Sequence, residues 1–269
     1  DLPSQRQAYE LVLYALGSGE GFVKVTGEVG TGKTLLCRRL LNDLHQQGCV
    51  TVYLPNPQLS ADGLWRAVAA ELALDAQKMS LPALQQAVQQ CLLNWAQRRK
   101  SVVLLVDEAQ SMPLATLEAL RLVSNLETEQ QKLLQIVLFG QPELDQVLQK
   151  PQLRQLLQRI TTSARLSALA STDMLADYIA QRMSQAGYRG MQLFARDALE
   201  YLWQVSGGIP RLVNVLAAKS LLAGYGQGAD LIERHHIALA AADTESAKRV
   251  APAPIWWALI VLLACVVVL

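Results

Sequence analysis

Surplus charge is what this chain most conspicuously lacks. Twenty-four lysines and arginines face 23 aspartates and glutamates, a net charge of +1 over 269 residues. That balance removes any global electrostatic argument for a nucleic-acid surface and leaves room only for a local basic patch. Histidine is scarce too: His45, His235 and His236 are the three present, too few and too badly spaced for a metal centre. The adjacent His235 and His236 would diverge by about 100° on a helix and are expected at the surface or its boundary. Four cysteines (Cys37, Cys49, Cys91, Cys265) form no C-x-x-C pair and lie in apolar runs. Reduced, buried thiols of a cytosolic domain fit them better than disulfides or zinc ligands. There is no internal repeat and no low-complexity tract. Against these absences stands a hydrophobic content of 51%, ample for one large core or two smaller ones.

What is present is sharper. Gly27-Glu28-Val29-Gly30-Thr31-Gly32-Lys33-Thr34 fills every fixed place of the phosphate-binding pattern G-x-x-x-x-G-K-[ST]. Glycines let a backbone wrap a triphosphate with its N–H groups turned inward. Lys33 supplies a cation for the β- and γ-phosphates, and the Thr34 hydroxyl a ligand for Mg²⁺. Phe22–Thr26 is β-rich, whereas Thr34–Leu41, with Leu35 in its first turn, has helical periodicity. Strand, glycine loop and helix together are the context the motif requires, and they imply binding of a nucleotide.

The rest of the chain alternates. A helix over Ser4–Leu16 precedes the first strand, and the helix leaving the loop runs to about Gln47. A strand follows at Cys49–Leu54, then helices near Ser60–Leu74 and Leu81–Arg99. Val102–Val106 and Leu133–Phe139 read as strands buried on both faces, separated by a helix from Pro113 to about Glu127. A fifth, weaker strand is expected near Thr162–Leu166. Strands alternating with helices imply a mostly parallel sheet covered on both sides. Beyond Ser167 only helices are expected: Thr172–Gln185, Ala195–Val205, Ile209–Ala223 and Glu233–Ala242.

Acids and arginines cluster at informative places. The strand Val102–Val106 runs into Asp107-Glu108-Ala109-Gln110. Strand carboxyl ends line the ligand crevice of a parallel sheet, so Asp107 suits the Mg²⁺ shell and Glu108 the attacking water; a simple strand cap is the blander alternative. Gln141, in Gly140-Gln141-Pro142-Glu143-Leu144, would orient water or read the γ-phosphate, or merely form a turn. Arg154 and Arg159 lie on Pro151–Ile160 and are either solvated or supplied to a neighbouring subunit's phosphoryl group. Arg211, in Gly207-Gly208-Ile209-Pro210-Arg211, sits at a helix start from which it could reach the γ-phosphate, or is part of a plain helix start.

Ile255–Leu269 is the one long apolar run, fifteen residues without a charge. As a helix it spans about 22 Å, short of a hydrocarbon core of about 30 Å. Trp256 and Trp257 at its start suit an aromatic belt, Lys248 and Arg249 a cytoplasmic flank, and Ala251–Pro254 a spacer. The expectation is a transmembrane helix cut short where the chain stops, with a buried helix as the alternative. Asp1 in place of a methionine reads as a fragment or processed chain.

Assembled in order, Thr26–Thr34, Val103–Gln110, Gly140–Leu144, Leu153–Ile160 and Gly207–Asn214 resemble the AAA+ ATPases. More narrowly, they resemble the bacterial general secretion pathway protein A (ExeA-type) and the M protein of mannose-sensitive haemagglutinin (MSHA) pilus biogenesis. The resemblance covers nearly all of 1–243, and its GQPEL and GGIPR segments are its narrowest features. It implies an α/β parallel-sheet AAA+ domain over 1–166 and a small helical lid over 167–243. A linker over 244–254 and the truncated span over 255–269 would follow.

The resemblance implies that ATP and Mg²⁺ bind at Gly27–Leu35, Asp107 and Arg211. Thr34 and Asp107 would serve the metal and Glu108 would be the catalytic acid. Gln141 falls near the first sensor, Arg211 matches the second, and Arg159 matches the trans finger with Arg154 in reserve. It further implies a ring of identical subunits and a single-pass anchor in the bacterial inner membrane. The ATPase would face the cytoplasm and serve assembly proteins of a type IV pilus or type II secretion system. Two rivals remain at this stage: a DNA-associated ATPase of transposition or replication-loading type, and a slow ATP-binding switch scaffold.

Overall fold

Five short runs of β-branched and aliphatic residues assemble into one sheet. The computed structural model describes residues 2–249 apart from 77 and 128–131. The strands are β1 (Phe22–Gly27), β2 (Val50–Leu54), β3 (Val102–Val106), β4 (Gln135–Gly140) and β5 (Ile160–Leu166). All their pairings are parallel, in the order β2-β3-β4-β1-β5. This is the parallel α/β architecture expected from the alternation of elements.

Alternate residues of each inner strand serve two separate cores, as the two-residue period of a strand requires. On β3, Val102, Leu104 and Val106 join the cluster covered by α3 (Ala61–Glu71), α4 (Leu81–Gln97) and α5 (Leu114–Val123). Val103 and Leu105 of the same strand join the opposite cluster, covered by α1 (Pro3–Gly17) and α2 (Lys33–Gln46). β4 divides likewise, Ile136 and Leu138 to the first face and Val137 and Phe139 to the second. Strands buried on both faces are therefore continuously apolar, which is why they stand out in the sequence.

Two further helices, α6 (Glu143–Leu148) and α7 (Arg154–Arg159), fill the crossover from β4 to β5. The helix after Pro113 ends at Val123, not near Glu127. Ser124 turns its hydroxyl back onto the Arg121 carbonyl at 2.7 Å, and Glu127 instead forms an isolated antiparallel bridge with Lys132.

The chain divides into two compact units, Asp1–Ser167 and Ala168–Leu269. In the second, the described residues form α8 (Thr172–Gln185), α9 (Arg196–Ser206), α10 (Pro210–Gln227) and α11 (Arg234–Ala242). Its core gathers Leu175, Leu202, Val205, Val213, Leu216 and Ile237, all fully buried. At the junction of α9 and α10 the backbone of Gly208 lies against Leu169. The Leu169 N–H donates to the Gly208 carbonyl at 2.8 Å, and a Cβ on Gly208 would stand 2.3 Å from the Leu169 carbonyl oxygen. Only glycine allows that approach.

One histidine departs from expectation. His236 is 1% exposed, and its ring lies 3.7 Å from that of His235, because both Nε2 atoms turn toward the Gln227 side-chain oxygen. Cys37 is buried, but Cys49 and Cys91 are only half-buried. Among the described residues no helix is long and apolar enough to cross a membrane. The run 255–269, read above as a transmembrane helix, lies outside the described residues, as do Cys265 and residues 250–254 of the linker.

Leu105 of β3 is fully buried in the cluster covered by α1 and α2. Leu105→Ala should therefore lower stability by about 2–5 kcal/mol, read from the urea midpoint of the α/β unit.

Candidate functional site

Because every strand runs the same way, the carboxyl ends of β1, β3 and β4 open on one side of the sheet. The loop Gly27–Thr34 follows β1 directly and delivers Lys33 as the first residue of α2. Gly32 precedes that helix with φ +96°, a left-handed conformation that L side chains rarely adopt. The Lys33 ammonium donates to the carbonyls of Gly27 at 2.8 Å and Glu28 at 3.0 Å. Burial pulls its pKa below the usual lysine value, while the negative charges of Glu108, Asp107, Glu28 and Glu143 act in the opposite sense. The lysine is thus a desolvated cation ringed at a distance by acids. The Thr31 hydroxyl donates to the Glu28 carbonyl at 2.8 Å and closes the turn. Glu28 itself is exposed, and so are Val29 (53%) and Leu35 (66%).

At the end of β3, Asp107 is 3% exposed. Its Oδ1 accepts the Glu108 N–H at 2.9 Å. Its charge, after burial itself, pushes the Cys37 thiol of α2 upward in pKa, so that thiol stays protonated. Asp107 at the end of β3 and Thr34 in the first turn of α2 both carry hard oxygen donors of the kind Mg²⁺ takes.

Glu108 adopts φ +52°, a strain of about 1–2 kcal/mol for a residue with a Cβ. The Ser111 N–H and hydroxyl hold this turn by donating to the Glu108 carbonyl at 2.9 and 2.8 Å. Its carboxylate Oε2 accepts two amide hydrogens, from Gln110 Nε2 at 2.6 Å and from Gln141 Nε2 at 3.3 Å. Gln141 follows β4, and β4 lies between β3 and β1. Gln141 therefore leaves the strand that separates the acid-bearing β3 from the loop-bearing β1. Lys24, inside β1, forms an ion pair with Asp145 of α6 and so fastens the helix that follows Gln141.

The arginines lie elsewhere. Arg159 ends α7, immediately before Ile160, which pairs with Phe22 at the start of β1. The glycine loop follows the other end of β1, about 17 Å further along the strand. Arg159 donates to the Ser124 hydroxyl at 2.9 Å and lines a polar depression of about 450 Å³ with Glu20, Lys132 and Thr161. Arg154 is exposed at the start of α7, and Arg211 is exposed in the first turn of α10 in the second unit.

Two residues near the loop escaped the sequence reading. Gln5 of α1 donates to the Thr31 carbonyl at 2.9 Å, and nothing in the helical spacing of α1 announces it. Gln110 had a signal, since it stands two residues after Glu108 across a turn.

Residues 16–148 match a family model described as an AAA domain. General secretion pathway protein A of Aeromonas hydrophila is 43% identical over 237 residues, which are 87% of this chain and 43% of that protein. The chain therefore spans less than half the length of that relative. Among solved structures, the ORC2 protein of Aeropyrum pernix with ADPNP and ADP superposes with a TM-score of 0.63 at 16% identity, over 91% of this chain and 68% of the other. Cdc6p of Pyrobaculum aerophilum gives 0.63 at 20% identity, over 86% and 65%. The Thermotoga maritima RuvB branch migration motor gives 0.57 at 18%, over 89% and 68%. At such identities these structures speak for the fold alone.

Lys33 gives a direct test of the loop. With MgATP at about a hundred times its Kd, the wild-type chain should gain about 2.7 kcal/mol of stability, seen as a raised Tm. Lys33→Ala should lose that gain while its Tm without nucleotide changes little.

Proposed function

The chain belongs to the AAA+ ATPases of the general secretion pathway protein A type, and from that membership we propose that it hydrolyses ATP to drive assembly of a secretion or pilus apparatus at the bacterial inner membrane. The observation that carries the hydrolytic part is the grouping of Glu108, Gln141 and the buried Lys33 at neighbouring strand ends. In this reading the loop amides and Lys33 hold the β- and γ-phosphates, Glu108 accepts a proton from the attacking water, and Gln141 orients that water against the γ-phosphate. Catalysis is positioning plus charge neutralisation, without a covalent intermediate. Thr34 and Asp107 would hold magnesium, which supplies further neutralisation of phosphate charge when bound.

The same reading assigns Arg159 to a neighbouring subunit's site, because its place at the amino end of β1 and β5 takes it away from its own loop. In that role the arginine acts only in an assembly of copies, in keeping with a ring. Arg211 would report the γ-phosphate to the helical unit, so that hydrolysis releases a conformational signal. Service to secretion or pilus assembly rests on the 43% identical relative and its printed name. The inner-membrane anchor rests on the composition of residues 255–269 and would leave the ATPase on the cytoplasmic side. The DNA-handling alternative gains nothing from likeness of fold, and a net charge of +1 gives it no support.

Two measurements test this. Glu108→Gln should abolish ATP turnover while leaving ATP affinity within about twofold; equally slow turnover in wild type and variant would instead mark a binding switch. Arg159→Ala and Lys33→Ala should each be inactive alone and recover turnover when mixed, since each supplies what the other lacks. A mixture no more active than its parts would return Arg159 to an ordinary surface role.

A further inference from the structure

Gln110 makes contacts that the reading above leaves unused. Its Nε2 donates to Glu108 Oε2 at 2.6 Å, and its Oε1 accepts the backbone N–H of Gln141 at 3.0 Å. The Gln141 side chain closes the figure by donating to the same Glu108 oxygen at 3.3 Å. One amide thus spans the ends of β3 and β4 and uses both its donor and its acceptor. There is little slack around it: a Cβ placed on Gly140 would stand 3.2 Å from Gln110 Oε1 and 2.7 Å from Leu144 Cδ2. The carboxylate it grips sits on a backbone turn with φ +52°, where a free side chain would have several other directions open to it.

We propose that Gln110 is the positioning residue of this ATPase, aiming the Glu108 carboxylate and tying that aim to the Gln141 turn. The proposal rests on Glu108 and Gln141 acting at the γ-phosphate as described above. Only a side chain with both a donor and an acceptor can do this. An aliphatic side chain at 110 releases both partners. A carboxylate there still accepts the Gln141 N–H but sets a like charge against Glu108. The tie also runs both ways: a shift of the Gln141 turn pulls on Gln110 and withdraws the amide from Glu108, so the base is aimed only while that turn is in place.

The experiment compares ATP turnover of the full chain for wild type, Gln110→Ala, Gln110→Glu and Glu108→Gln. Gln110→Ala should lower kcat on the order of tenfold to a hundredfold, with KM for ATP within about twofold and Tm without nucleotide unchanged. Gln110→Glu, which still accepts the Gln141 N–H but offers Glu108 no donor, should lose kcat to a similar extent. A merely structural tie between the two strand ends would instead lower Tm or raise KM without a selective loss of kcat. Wild-type kcat in Gln110→Ala alongside a dead Glu108→Gln would overturn the assignment of Gln110 alone, as would wild-type kcat in Gln110→Glu. Wild-type turnover in Glu108→Gln would overturn the base itself, and the proposal with it.

Discussion

The pairing of β4 between β3 and β1 is the constraint on which the rest of this structure depends. A parallel sheet turns all its carboxyl ends the same way, but only the order of strands decides which of those ends are neighbours. Here the order leaves a single strand, β4, between the one that ends in Asp107 and Glu108 and the one that ends in the glycine loop, and Gln141 follows β4. Strand neighbours lie about 4.8 Å apart, so the strands that end in the acids and in the loop are about 10 Å apart, with β4 between them. The two cores on either face keep it so. Residues that alternate along β3 and β4 lock each strand into both, and a slip of one residue would exchange the faces.

The site is electrostatically tense, and its neighbourhood answers that tension. A desolvated lysine bonds to its own loop carbonyls, and a strained glutamate is held by its own turn and by two glutamine amides. Such an arrangement is preorganised: the groups that would meet a triphosphate are already fixed by bonds that do not need it. Arg159 stands apart at the amino end of the sheet, held by the Ser124 hydroxyl. Its distance from the glycine loop is the ground for the proposal that it serves a neighbouring copy.

Much of this was legible in the residues. The β-rich run before Gly27 and the apolar strand before Asp107 declared themselves by local pattern, and the structure places both as strands ending at the site. The helix over 172–185 was read with its observed limits. Errors came where a side chain overrode periodicity. At the end of α5 the Ser124 hydroxyl turns back on the Arg121 carbonyl and the helix stops at Val123, and the two histidine rings turn together onto Gln227, which no helical-wheel angle anticipates. Gln5 was invisible because its partner, the Thr31 carbonyl, lies 26 residues away in sequence.

By itself the sequence determined the elements and the inventory of the site. Glycines that permit left-handed backbone, a lysine and threonine at the helix start, and acids at a strand end are local facts, set by sterics within a few residues. Tertiary structure alone decided strand order, the amide triangle around Glu108 and the removal of Arg159 to the far end of the sheet. Those outcomes depend on contacts between segments tens of residues apart. Such contacts form only when burying the two apolar faces of each strand outweighs the entropy of closing the loops between them.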